Sequence, residues 1–232
     1  MNLFDILGPV MVGPSSSHTA GAARIGLMAR TLLGGEPVKA AIHLHGSFAE
    51  TGTGHGTDKA LVGGLLGMKP DDLRIPYAFS EADKAGMAFT IDKVDLRDAH
   101  PNTAVIEATN QEGKTLRIQA SSLGGGRIEV NKLDGVDVSF SGAFNTLVIR
   151  NRDAHGVVAS VTNILGQVHI NVANMSVNRS KRGGDMLMVI ETDHHLKPSL
   201  VEFLKELPGI LSVTYYDKEE EDDGSGFDEG DL

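Results

Sequence analysis

Between His18 and Leu33 the apolar residues Ala22, Ile25, Met28, Ala29 and Leu32 recur three and four positions apart, the spacing of one helical face, and Gly34-Gly35 ends the run. The period then changes. Over 38–45, "VKAAIHLH", Val38, Ala40, Ile42 and Leu44 alternate with Lys39, Ala41, His43 and His45, which predicts a half-buried strand. "TDKALVGGLLGM" (57–68) returns to helical spacing through Leu61, Val62, Leu65 and Leu66. "TAVIEATN", the turn "QEG" and "KTLRIQASS" predict a β-hairpin, and after Gly124–Gly126 a further strand follows in "RIEVNKL".

Beyond residue 140 the alternation is more regular. "NTLVIR" reads as a strand, "VVASVTNIL" as an apolar helix, then "INVANMSVN" and "MLMVIET" as strands. "KPSLVEFLKEL", with Pro198 near its first turn, reads as a helix, and "ILSVTYY" as a last strand. The order β-α-β-β-α-β is that of a ferredoxin-like unit. The expected fold class is therefore α+β. A mixed, glycine-rich lobe covers 1–140, a ferredoxin-like lobe covers 145–216, and a tail covers 217–232.

Charge and composition sharpen this picture at two points. The formal net charge of −10 sits mostly in the tail "DKEEEDDGSGFDEGDL", whose nine acids and one lysine leave 22 acids and 20 bases for the rest of the 232 residues. The body is nearly neutral, and the tail reads as a disordered, solubilising end or an acidic interaction segment. No basic cluster suggests nucleic acid. There is no cysteine, which excludes disulfides, thiolate catalysis, cysteine-ligated zinc and any iron–sulfur cluster held by this chain alone. No window approaches the ~18 consecutive apolar residues of a membrane span. "MNLFDILGPVMVGP" lacks the basic start and small-residue cleavage site of a secretory signal, so a cytoplasmic location is expected.

The candidate chemistry concentrates in three stretches. In "GPSSSHT" (13–19) one hydroxyl is expected to cap the helix that follows. The others among Ser15, Ser16, Ser17 and Thr19 are then spare donors at a positive helix end, suited to a carboxylate or phosphate. The same dipole disfavours protonation of His18 and leaves a neutral imidazole able to exchange protons. In "ETGTGHGTDKA" (50–60) His55 lies between Gly54 and Gly56, with Thr57 and Asp58 in capping position before the next helix. In "DAHPN" (98–102) Pro101 holds His100 extended, and Asn102 offers a donor and an acceptor. Each stretch also fits a plainer account: a serine-rich turn with a surface histidine, a flexible glycine loop, an ordinary turn. His43 and His45 have H-x-H metal-site spacing but no evident third ligand, so a polar strand face is the expected reading and no metal site is assigned. His169, His194 and His195 are expected to face solvent. In the second lobe, Gly156 at a helix entrance, with Asp153 and His155 beside it, can meet a carboxylate or an ammonium, or can simply form the turn.

"LVIRNRDAHGVVASVTNILGQVHINVANMSV" resembles an ACT domain, the small amino-acid-sensing module. "GPSSSHTAGAARIG", "LHGSFAETGTGHGTDKA" and "HPNT" together resemble the β-chains of iron–sulfur-dependent L-serine dehydratases over nearly the whole chain. That resemblance implies an allosteric-substrate-binding-like first lobe, as in some phosphoglycerate dehydrogenases. It also implies deamination of L-serine to pyruvate and ammonia, with a [4Fe–4S] cluster bound by cysteines of a separate α subunit. On this reading His18, His55 and His100 are catalytic candidates for proton transfer or orientation. Ser15, Ser16, Ser17, Thr19, Thr57, Asp58 and Asn102 would bind substrate or anion, and Asp153, His155 and Gly156 an effector. ACT units usually pair, so a homodimer through the second lobe is expected. The rival is a non-catalytic, serine-sensing regulatory protein.

Overall fold

The computed structural model describes residues 11–179 and 183–218; most of the acidic tail lies outside them. A five-residue π-helical turn, Ser16–Ala20, runs directly into helix α1, Gly21–Leu33. Strand β1 (Pro37–His45) follows, then helices α2 (Ser47–His55) and α3 (Thr57–Leu65), a short 3₁₀ turn, and helix α4 (Ala78–Ala85). Strands β2 (Ala88–Lys93), β3 (Thr103–Asn110), β4 (Thr115–Gly124), β5 (Arg127–Leu133) and β6 (Val136–Phe140) complete the first lobe. They form one sheet in the order β2-β1-β3-β4-β5-β6, parallel between β1 and β2 and antiparallel elsewhere.

The alternation in β1 has the expected result: Ala40, Ile42 and Leu44 are buried, while His43 and His45 lie on the half-buried opposite face. The buried side chains of β1 pack with Ile25, Met28 and Leu33 of α1 and Leu61 and Leu65 of α3. Helices α1 and α3 meet backbone to backbone. A Cβ on Gly26 would lie 2.4 Å from the Leu61 carbonyl oxygen, and one on Gly64 would lie 2.2 Å from that of Ala23. Only glycine fits at both positions, and the resulting close approach fixes where the start of α1 sits.

The second lobe comprises β7 (Asn145–Arg152), α5 (Val157–Gln167), β8 (Val172–Arg179), β9 (Asp185–Thr192), α6 (Pro198–Lys205) and β10 (Ile210–Tyr216). Its antiparallel sheet runs β10-β7-β9-β8, the expected ferredoxin-like arrangement. Leu147, Ile149, Met188 and Ile190 face α5 and α6 and pack with Val161, Leu165 and Leu204. The residues between them in the strands, Val148, Leu187 and Val189, point the other way and join the first lobe's core. Buried Glu191 accepts from the Ser141 amide (3.2 Å) and from Asn174 Nδ2 (3.0 Å), tying the segment between the lobes to the second sheet.

Four elements differ from the sequence expectations. Residues 50–55 of the stretch 50–60, for which a flexible glycine loop was the plainer account, belong to helix α2, and α4, β2 and β6 were not anticipated. Strands β2 and β6 are the two edges of the sheet among the described residues; β2 buries no residue fully and β6 is only five residues long, so neither carries a long apolar alternation.

Candidate functional site

The start of α1 is built by Ser15. Its Oγ accepts the His18 amide at 3.2 Å, so the predicted hydroxyl cap is Ser15. Ser16 and Ser17, half-buried in the same turn, lie outside that contact. The helix begins next to the end of β4: a Cβ on Gly21 would strike Ser122 Oγ, and one on Gly124 would lie 3.5 Å from Ser17 Oγ.

His18 is the centre of the cluster. Its Nδ1 lies 3.3 Å from Ser15 Oγ, and its Nε2 lies 3.1 Å from Ser47 Oγ and 3.0 Å from Thr51 Oγ1. Thr51 Oγ1 donates its own proton to the Ser47 carbonyl at 2.8 Å, so towards the ring it acts as an acceptor. The neutral tautomer that satisfies these contacts carries the proton on Nε2 and accepts on Nδ1 from the Ser15 hydroxyl. The His55 ring stands 5.0 Å from that of His18, centroid to centroid, and Phe48 meets His18 edge-on at 5.4 Å. Burial holds the His18 pKa below the ordinary imidazole value; the nearby His55 adds to the lowering and a hydrogen bond donated by the ring to the Ser47 backbone opposes it.

Ser47 and Thr51 were not singled out from the sequence. Both come from α2, one helical turn apart, and only a helix aims both hydroxyls at one nitrogen. Helix α2 is held at its start by Gly46 (φ 56°), where a Cβ would lie 2.7 Å from the Pro101 carbonyl oxygen. Its end is fixed by Gly56 in the left-handed region, and buried Thr19 donates to the His55 carbonyl at 3.2 Å. The Gly46–Pro101 contact brings the third stretch alongside. His100 is exposed, and its Nδ1 accepts the Asn102 amide at 3.1 Å.

The expected capping by Thr57 and Asp58 is corrected. Gly56 occupies the N-cap of α3 with no side-chain cap, and Asp58 Oδ1 accepts the adjacent Lys59 amide instead. Thr57 is fully buried inside the first turn, where its hydroxyl finds no partner among the described residues. Asn102 Oδ1 and Ser122 Oγ are likewise buried and without a partner among the described residues. An unsatisfied buried polar atom costs about 1–3 kcal/mol, which a polar ligand reaching it would offset. The H-x-H pair serves other ends: His43 Nδ1 meets Asp92, and His45 Nδ1 accepts the Leu96 amide at 3.2 Å. Among the described residues no group of three His, Cys, Asp or Glu side chains is placed to hold a metal.

These residues fall in a region that known proteins share. The family profile for the serine dehydratase beta chain matches residues 2–85. A probable L-serine dehydratase beta chain of Bacillus subtilis is 43% identical over 92% of this chain and 96% of its own length. The chain belongs to the L-serine dehydratase β-chain family. The L-serine dehydratase beta chain of Peptoniphilus asaccharolyticus is 36% identical over 91% of this chain and 96% of its own length. A D-3-phosphoglycerate dehydrogenase of Bacillus subtilis is 28% identical over 78% of this chain but only 35% of its own length. The ACT domain profile matches 145–209, which contains the second lobe's β7–α5 corner. There Gly156 (φ 86°) is the N-cap of α5. The Asp153 carboxylate accepts from Arg179 Nη1 (2.7 Å) and the Gly183 amide (2.9 Å), and His155 is exposed. The effector candidates are therefore grouped at one corner, with Asp153 already engaged by an internal cation. No described helix is long and apolar enough to cross a membrane.

Proposed function

We propose that this chain is the β subunit of a two-chain L-serine dehydratase that releases pyruvate and ammonia from L-serine. The observation that carries the reading is the convergence of Ser15, Ser47, Thr51 and His55 on His18 at the start of α1, inside the segment matched by the β-chain profile. The chain's own donors do not fit an iron–sulfur cluster, since it has no thiolate. The [4Fe–4S] cluster is accordingly assigned to a cysteine-bearing α subunit. What this chain supplies is the polar half of the site. The amides and hydroxyls of Ser16 and Ser17, in the turn that leads into α1, bind the substrate carboxylate. His18, kept neutral by burial and oriented by three hydroxyls, holds a proton on Nε2 and can pass it through Ser47 or Thr51. His55, 5.0 Å from His18 ring to ring, and His100 are assigned as further proton-transfer groups, and Asn102, Thr57 and Asp58 to substrate binding.

Co-expression with the cysteine-bearing partner, followed by an anaerobic serine-to-pyruvate assay, tests this. Activity should need both chains, and His18→Gln should lower kcat by about 10²–10⁴. The isolated chain should be colourless and inactive. A brown chromophore in the isolated chain, or serine binding with no partner requirement and no turnover in any combination, overturns the reading; the latter outcome identifies the regulatory sensor instead. The ACT match supports a regulatory second lobe, with an amino-acid effector at the Gly156 corner and pairing of two copies through this lobe.

A further inference from the structure

A cleft of about 590 Å³ lies between the two lobes, away from the His18 cluster. One side is the β3–β4 turn and the β5–β6 turn, which bring Lys114, Thr115 and Asp134; the other is the second sheet, with Arg150, Ser212 and Thr214. Buried Leu116, Leu133, Val148 and Leu187 form its apolar part.

The charges do not balance within the cleft. The Asp134 carboxylate is spent twice, on the Arg117 amide (2.8 Å) and on Arg150 Nη2. Among the described residues the Lys114 ammonium hydrogen-bonds the Leu32 carbonyl at the end of α1, at 3.5 Å; burial there holds its pKa below the usual lysine value, with Arg150 and Lys205 adding to the lowering and Asp134 and Glu112 opposing it. The lining therefore carries two cations, Lys114 and Arg150, against the one carboxylate of Asp134, beside three hydroxyls on an apolar floor. A bound anion would remove the strain on Lys114, since an opposite charge favours the protonated amine. We propose that this cleft is a second ligand site, taking a small organic anion whose carboxylate or phosphate meets Lys114 and Arg150, whose polar substituents meet Thr115, Ser212 and Thr214, and whose carbon skeleton lies on the leucines. Because the residues come from both lobes, such a ligand bridges them.

The site is tested on the full chain by amide chemical-shift mapping and calorimetry with three probes: inorganic phosphate, pyruvate and malonate. Saturable shifts should centre on 113–116 and 212–214. Phosphate alone binding identifies a phosphate-bearing ligand; pyruvate or malonate binding identifies a carboxylate. Lys114→Gln should weaken binding about tenfold or more, as expected for loss of a charged hydrogen-bond donor. Ser212→Glu, at an exposed position where folding is not at risk, should do the same by repulsion. Ser47→Ala should leave this binding unchanged. The proposal is overturned if no probe gives saturable shifts, if the shifts map to 15–19 instead, or if neither cleft variant changes affinity.

Discussion

At the scale of single residues the His18 ring couples protonation to stability. Its pKa in the folded chain lies below the ordinary value of 6.5, chiefly because of burial. Between those two values the unfolded chain binds more protons than the folded one, so stability falls as pH is lowered through that window and is complete above it. Urea unfolding at a series of pH values should show the difference between the parent and His18→Gln constant above about pH 6.5 and shrinking below it. His55→Gln should raise the His18 titration midpoint, read from the imidazole resonances, because it removes the neighbouring charge; an unmoved midpoint rejects that coupling. The serines separate in the same way. Ser15→Ala should cost about 1 kcal/mol of stability as a lost N-cap. Ser16→Ala with Ser17→Ala should instead leave the melting temperature in place and weaken serine binding by about 1–3 kcal/mol. Most of this site was legible because Ser15 to Thr19 put so much chemistry in five positions. Ser47 and Thr51 were hidden: each is ordinary alone, and their common target appears only once the glycine-rich 47–55 is seen to be helical.

At the scale of elements, legibility followed burial. Helix α1 and strand β1 each bury one face almost completely, so their periods of 3.6 and 2 are plain in the sequence. Helix α2 carries glycines at 52 and 54, which argue against a helix by propensity; packing of buried Phe48 and closure by Gly46 and Gly56 override them. The ferredoxin-like lobe was read in full because every one of its strands and helices has an apolar stripe facing one core. What no pattern announces is the α1–α3 crossing, because it depends on atoms that glycine lacks. Gly64→Ala should force the two backbones apart and destabilise the chain by about 1–3 kcal/mol or more, as overpacking does. Thermal unfolding measures it. Gly54→Ala is the control: a Cβ there meets nothing within 4 Å, so a similar loss at both positions would show that helix geometry, not the crossing, is at stake.

At the scale of the whole molecule the second sheet has one face on its own helices and the other on the first lobe, through Val148, Leu187 and Val189. Pairing of two copies through that second face is thereby excluded, since it is already covered. Its edges remain. Among the described residues strands β8 and β10 each have a strand partner on one side only, leaving a row of backbone donors and acceptors on the other. Exposed Leu211 lies on β10, and exposed Ala173 on β8. Removing the lobe altogether would be a poor test of pairing, because a chain ending at Phe140 loses three members of its main core and should be unstable before its assembly can be judged. Single charges at the edges are cleaner. The full chain should sediment as a dimer, and either Ala173→Arg or Leu211→Arg should shift it to monomer by placing like charges opposite each other across the two-fold axis, with little change in melting temperature. Dissociation by the first variant alone assigns pairing to β8, and by the second alone to β10. A monomeric parent, or a dimer indifferent to both, means that the copies do not meet edge to edge.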